Sequence, residues 1–163
     1  MGINVSNILK LEPNILKELF EKAKISDRKR AFYLLRSSDK GEIPAVMFNV
    51  LLPGTYVRPH KHPMNDGREI VILILGKMKV IIFNDDGTFR ESYILSSLDT
   101  VFVEIPAQTY HTIITLEPSV LCELYLGKYN PTTYREFAEW APEENDMLMN
   151  DYLKKINKIT YKK

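Results

Sequence analysis

Apolar positions recur at two different periods along this chain, and the change of period divides it into three parts. In PNILKELFEKAK, residues Ile15, Leu16, Leu19, Phe20 and Ala23 fall on one face of a helix. Pro13 suits its first turn, where no backbone N–H is needed. From about Ala31 the apolar residues gather in short runs rich in β-branched and aromatic side chains: AVMFNVLL, TYVRPHKH, EIVILIL, KVIIF, ESYIL, TVFVEI, HTIITL and SVLCELYL. The turn signals LPG, NDG, NDDG and LEP interrupt them. About eight short strands at this spacing predict an antiparallel sandwich or barrel. Helical spacing returns at Met149, Tyr152, Leu153 and Ile156. The pattern therefore predicts a single domain: a helical extension over 1–30, a β-barrel over 31–130 and a helical tail over 131–163 packed on the barrel.

Two of the runs, EIVILIL and KVIIF, are apolar without alternation. A strand with one solvated face alternates, so both faces of these two are expected to be covered. The helical termini or a second subunit would supply the cover, and a homodimer is expected.

Composition narrows the class. Of 163 residues, 45% are hydrophobic and 26% charged, as in ordinary globular proteins. The 22 basic and 21 acidic side chains leave a net charge of +1, which argues against a general electrostatic nucleic-acid binder. The lysines of KKINKITYKK read as a solvated helix end and tail rather than a docking patch. With Cys122 alone there is no intrachain disulfide, which suits a reducing compartment, and its place in SVLCELYL reads as a packed small hydrophobe. No amino-terminal signal pattern and no apolar run near ~20 residues is found, so the expectation is a cytoplasmic protein without a membrane partner.

The candidate chemistry lies in RPHKHPMNDGREIVILILG. Side chains two apart in a strand share a face, so His60 and His62 project together while Lys61 points away. A lone His-x-His is weak evidence, more often a packing or surface pair than a metal site. The context favours the metal. Glu69 opens the next run and can return to the same mouth, and His111 opens a later one, so three histidines and one acid can meet inside a barrel.

This stretch resembles the first cupin motif, filled here by Gly54, His60, His62, Glu69 and Gly76, with a gap before Glu69 longer than is usual. The second cupin motif keeps Pro106 and His111 but has Thr100 and Gln108 in place of glycines and Thr115 in place of its last asparagine. More closely, LPGTYVRPHKHP, VIIFNDDG, VEIPAQTYHTIITLEP and YREFAEWAPEE resemble the WbuC-type cupin fold metalloproteins, over most of Leu52–Glu144. One departure is GKY at Gly127–Tyr129, where that family usually has GPF or GPY. The resemblance implies a mainly β, cupin-type double-stranded β-helix, a jelly-roll barrel, with helical N- and C-terminal extensions. It also implies a metal site of His60, His62, Glu69 and His111 and an association with surface-polysaccharide gene clusters.

Three imidazoles and a carboxylate suit one divalent transition metal, Fe, Mn, Ni, Zn or Cu, and leave a position open for Lewis-acid chemistry. Arg58 is either a clamp for an anionic ligand or the partner of an acid at the barrel rim. Glu123, an acid inside an apolar run, is either an inward general base or an outward edge residue, and Tyr56 is a second candidate base. Trp140 reads as an anchor for the tail. The functional expectation is a metal-dependent isomerase or epimerase acting on a sugar or sugar nucleotide, with an anionic sugar as the small-molecule ligand. A sugar-binding or sensing cupin and an Fe(II)-dependent oxygenase stand as alternatives.

Overall fold

Pro13 opens the first helix, α1 (Pro13–Ile25), which lays Leu19 and Ala23 against Val50 and Val120. The structure is a computed structural model that describes residues 10–36, 44–65 and 67–159. Residues 1–9 of the expected N-terminal extension and the last four of the lysine-rich tail lie outside the described residues. Eight strands follow α1: β1 (Arg30–Arg36), β2 (Ala45–Leu51), β3 (His60–Lys61), β4 (Glu69–Phe83), β5 (Phe89–Ser96), β6 (Phe102–Ile105), β7 (His111–Tyr125) and β8 (Glu136–Phe137). A second helix, α2 (Met149–Asn157), closes the described chain. All strands belong to one curled sheet whose strand pairs are antiparallel, giving the expected mainly β jelly-roll with helices at both ends.

The strand boundaries differ from the sequence pattern in an instructive way. EIVILIL and KVIIF are one strand, β4, and HTIITL and SVLCELYL are one strand, β7. The two pair along their length, with register shifts between Leu73 and Met78. Gly76 sits at this irregularity with φ +90°, and a Cβ there would lie 2.2 Å from the Pro118 carbonyl oxygen. Glycine and proline bend the ladder here instead of ending it. One half of β4 and β7 therefore joins β1, β2 and β6, and the other half joins β3, β5 and β8. TYVRPHKH yields only the two residues of β3, because Pro59 and Pro63 on either side cannot donate to a ladder.

Val71, Met78, Val80, Leu95 and Leu121 fill the space between the two halves and are fully buried. The outer face of KVIIF is covered as expected: Ile81 and Phe83 pack with Ala138, Ala141 and Ile156 of the C-terminal segment. Lys79 serves the same contact, its Nζ donating to the carbonyls of Asn157 and Ile159 at 2.9 and 2.7 Å. Trp140 anchors the tail by packing on Phe83 and Tyr110 and donating from Nε1 to the Asp85 carbonyl. The end of EIVILIL is different. Ile74 and Leu75 are 50% and 56% exposed, and Phe102 on β6 is 47% exposed. Cys122 is buried, as its apolar surroundings predict. No helix among the described residues is long and apolar enough to cross a membrane.

Candidate metal centre

The curl of the sheet brings together residues that are far apart along its ladders. His60 of β3 pairs directly with His111, the first residue of β7. Glu69, the first residue of β4, belongs to the other end of the same β4–β7 ladder, opposite Tyr125. Folding the ladder over at Gly76 closes that gap, and His111 Nε2 lies 2.8 Å from Glu69 Oε2. His62 follows β3 and reaches the same carboxylate oxygen at 3.3 Å. Ligand atoms of His60, His62, Glu69 and His111 all lie within 4.8 Å of one another, and all four residues are buried.

The hydrogen bonds determine which ring nitrogens are free. Nδ1 of His60 meets the Arg58 carbonyl at 2.9 Å, Nδ1 of His62 the Tyr134 carbonyl at 2.6 Å, and Nδ1 of His111 the Thr109 carbonyl at 2.9 Å. A carbonyl oxygen only accepts, so each Nδ1 carries a proton and each ring turns its Nε2 inward, as a lone pair whenever the ring is neutral. Among the described residues the three Nε2 atoms have no partner other than the Glu69 carboxylate, which those of His62 and His111 approach. Three lone pairs and a carboxylate facing one another across a few ångströms repel. A cation between them removes the repulsion, so this donor set fits a divalent metal.

Without an ion, protons shared between the imidazoles and Glu69 take the cation's place. Burial, with the charges of His111 and Arg135, holds His60 well below its ordinary pKa, which keeps it neutral. Burial opposes the protonated form of His62, but Glu69 outweighs it and the net shift is upward. Burial works against the Glu69 carboxylate too, yet His62 and His111 hold its pKa well below the usual range.

Of the other residues singled out in the sequence, Glu123 joins the site. It faces inward beside Val71 and lines a chamber of about 60 Å³ together with His60, Glu69 and His111. Its pKa is pushed up to about 7, by burial first and by the Glu69 charge second. Arg58 lines the same chamber, but its guanidinium donates to the Ala138 carbonyl at 3.1 Å and pairs with Glu143 at 3.4 Å, which is the rim pairing with an acid. Tyr56 turns away: its hydroxyl donates to the Pro142 carbonyl at 2.7 Å, and its ring packs edge-on with Tyr152. Burial pushes its pKa up, so it is held as a phenol.

Two chamber residues escaped the sequence reading. Asn49 interrupts the apolar run AVMFNVLL with a side chain that the β2–β7 register turns inward, and that interruption was a usable signal. Arg135 precedes β8, a strand too short to show a period. Gln108 supplies the conformation of the glycine it replaces: its φ is +62°, its backbone N–H donates to the His62 carbonyl, and its side-chain amide donates to the Pro63 carbonyl.

Comparison with known proteins adds the fold and a family. Residues 11–95 match the model of a family described as a domain of unknown function (DUF6016). No curated protein matches the sequence. Among solved structures, the capsular polysaccharide assembling protein CapF from Staphylococcus aureus superposes with a TM-score of 0.60 at 20% identity, over 71% of this chain and 33% of its own. The chain thus spans about a third of CapF. Protein SO0799 from Shewanella oneidensis gives 0.57 at 7% identity over 88% of this chain and 98% of its own. An oxalate oxidase in complex with the substrate analogue glycolate gives 0.52 at 16% identity over 69% and 57%. At these identities the likeness shows the cupin fold.

Proposed function

The chain belongs to the DUF6016 family, a domain of unknown function, and from that premise we propose that it is a metal-dependent isomerase or epimerase acting on an anionic sugar in surface-polysaccharide biosynthesis. The observation that carries the proposal is the convergence of three inward-facing Nε2 atoms and one carboxylate on a buried chamber that also holds a second carboxyl group. The link to polysaccharides comes from the resemblance to WbuC-type proteins and the structural likeness to CapF.

His60, His62, Glu69 and His111 would hold about one divalent ion per chain. When bound, such an ion polarises a carbonyl oxygen as a Lewis acid, which acidifies the proton on the neighbouring carbon. Glu123 is the group placed to take that proton. Its pKa of about 7 leaves it divided between acid and base near neutrality, as a group that must accept a proton and return it should be. Return of the proton to the former carbonyl carbon, as the neighbouring hydroxyl passes its proton to the former carbonyl oxygen, gives isomerisation; return to the same carbon on its other face gives epimerisation, and no organic cofactor is needed. Arg58, held by Ala138 and Glu143, adds positive charge to the chamber wall. Tyr56, engaged with Pro142, takes no part.

The test is solvent exchange. Incubation of the metal-loaded protein with keto-sugars and sugar acids in heavy water should place deuterium on carbon. A chelator and Glu123→Gln should each abolish the uptake. Tight binding across the panel without any exchange would replace the enzyme by a sugar-binding protein, and oxygen consumption in place of exchange would replace it by an oxygenase.

A further inference from the structure

The chamber beside the four ligands contains polar atoms that they do not use. Asn49 Nδ2, Glu123 Oε2 and Arg135 Nε are buried there without a hydrogen-bond partner. A buried donor left unpaired costs about 1–3 kcal/mol, so a group of them in one small space marks a place where a ligand completes the bonding. Arg135 is fixed for such a role: its guanidinium lies over the ring of Tyr134, 4.5 Å from the centroid, and the carbonyl of Tyr134 accepts from His62. The residue that orients a ligating imidazole therefore also supports the arginine.

The charges around the chamber are unevenly committed. Glu144 bonds Arg28 at 2.6 Å and Arg30 at 2.5 Å, and Arg58 is paired with Glu143. Arg135 has no such rim partner among the described residues, and the unpaired state of both Arg135 Nε and Glu123 Oε2 shows that these two atoms do not bond each other. Asn49 and Arg135 also line a second, outer cavity of about 500 Å³, walled in part by Phe32 and Tyr129. They form part of the wall that the inner chamber and the outer cavity share.

We propose that Arg135 and Asn49 form an oxyanion subsite that holds a carboxylate next to the metal position, so that the ligand class is a 2-oxo or 2-hydroxy acid. This rests on the reading that His60, His62, Glu69 and His111 bind a metal. The acceptor beside these donors is the Glu123 carboxyl, which Asn49 approaches, and a guanidinium whose Nε is still unpaired suits an oxyanion. The chamber of about 60 Å³ must hold both that anion and the oxygen offered to the metal. In so small a space the two groups sit on adjacent carbons, as in a carboxylate with an oxygen on C2. A phosphate ester is bulkier and separates its anion from the nearest carbonyl or hydroxyl by further bonds. The remainder of the acid, such as the carbon chain of a sugar acid, extends into the outer cavity. Glu123 Oε2 then faces the carbon that bears the C2 oxygen or its neighbour.

Calorimetric titration of the intact, Zn(II)-loaded protein tests this, with metal content measured on every sample. Pyruvate and glycolate should bind, whereas methyl pyruvate, which lacks the charge, should bind at least about tenfold more weakly. Arg135→Met and Asn49→Leu should each reduce the affinity for pyruvate about tenfold or more while retaining the metal. The second variant keeps the test valid if the first fails to fold. Equal binding of acid and ester, or unchanged pyruvate affinity in either folded variant, overturns the subsite and leaves the metal reading intact. Inorganic phosphate binding more tightly than pyruvate also overturns it, in favour of a phosphorylated ligand. A wild-type protein that takes up no metal overturns both readings.

Discussion

At the scale of single residues, the tautomers of three histidines carry most of the argument. Each Nδ1 is committed to a backbone carbonyl, so each Nε2 faces the metal position and ligates once it is unprotonated. His62→Ala should therefore reduce metal content from about one ion per chain to a small fraction while the protein stays folded, as measured by elemental analysis and circular dichroism. Glu123 gives a second prediction. Its folded pKa of about 7 lies above the ordinary carboxyl value of 4.5, because burial disfavours the carboxylate. The folded state thus holds the proton more tightly than the unfolded state does. The corresponding stability is fully present below the unfolded pKa and is lost as pH rises through about 7. Glu123→Gln, neutral at every pH, should make the metal-free protein more stable than wild type at pH ~8 by about 1–3 kcal/mol and give little gain near pH ~4. Urea unfolding at the two pH values checks this, and an equal effect at both would show that the carboxyl is not strained by burial.

At the scale of elements, two positions decide how the strands and helices meet. Gly76 lets β4 turn from one half of the sheet to the other at φ +90°, where a Cβ would strike the Pro118 carbonyl. Gly76→Ala should cost about 2–3 kcal/mol of stability. It should also weaken metal binding, because the bend is what brings Glu69 to His111. Thermal unfolding followed with and without metal separates the two effects. Lys79 is the complementary case: a lysine in a buried strand whose ammonium caps carbonyls at the end of α2. Lys79→Met should detach the C-terminal segment, lowering stability by about 1–3 kcal/mol and exposing the segment to proteolysis.

At the scale of the whole molecule, the two ends of the chain cover different parts of the barrel. α1 seals Val50 and Val120, and the C-terminal segment seals Ile81 and Phe83. The face carrying Ile74 and Phe102 remains half exposed and is the natural contact for the expected homodimer. Light scattering at micromolar concentration should give the mass of a dimer, and Ile74→Glu combined with Phe102→Glu should give a monomer that still binds metal. A monomeric wild-type protein would remove the dimer and leave an exposed apolar face.

Much of this was legible in the linear chain, for reasons that differ by element. The 3.6-residue period of α1, the strand-rich middle and the spacing of His60, His62, Glu69 and His111 are local patterns, and local sterics and side-chain direction are sufficient to interpret them. The boundaries were less legible: Gly76 and Pro118 read as turn signals, yet both lie within long strands, because the ladder on either side holds them in a bend. Glu123 and Tyr56 looked alike as candidate bases, and only the β2–β7 register, which turns one inward, and the Pro142 carbonyl, which engages the other, told them apart. Arg135 carried no local signal at all. Most of its neighbours in the chamber, among them Asn49, Glu69, His111 and Glu123, come from β2, β4 and β7, more than ten positions away in the chain. The sequence by itself determined which side chains can ligate a metal, because ligation depends on chemical type and near-neighbour spacing. The tertiary structure alone decided what else shares the chamber, because that depends on where a curled sheet closes on itself.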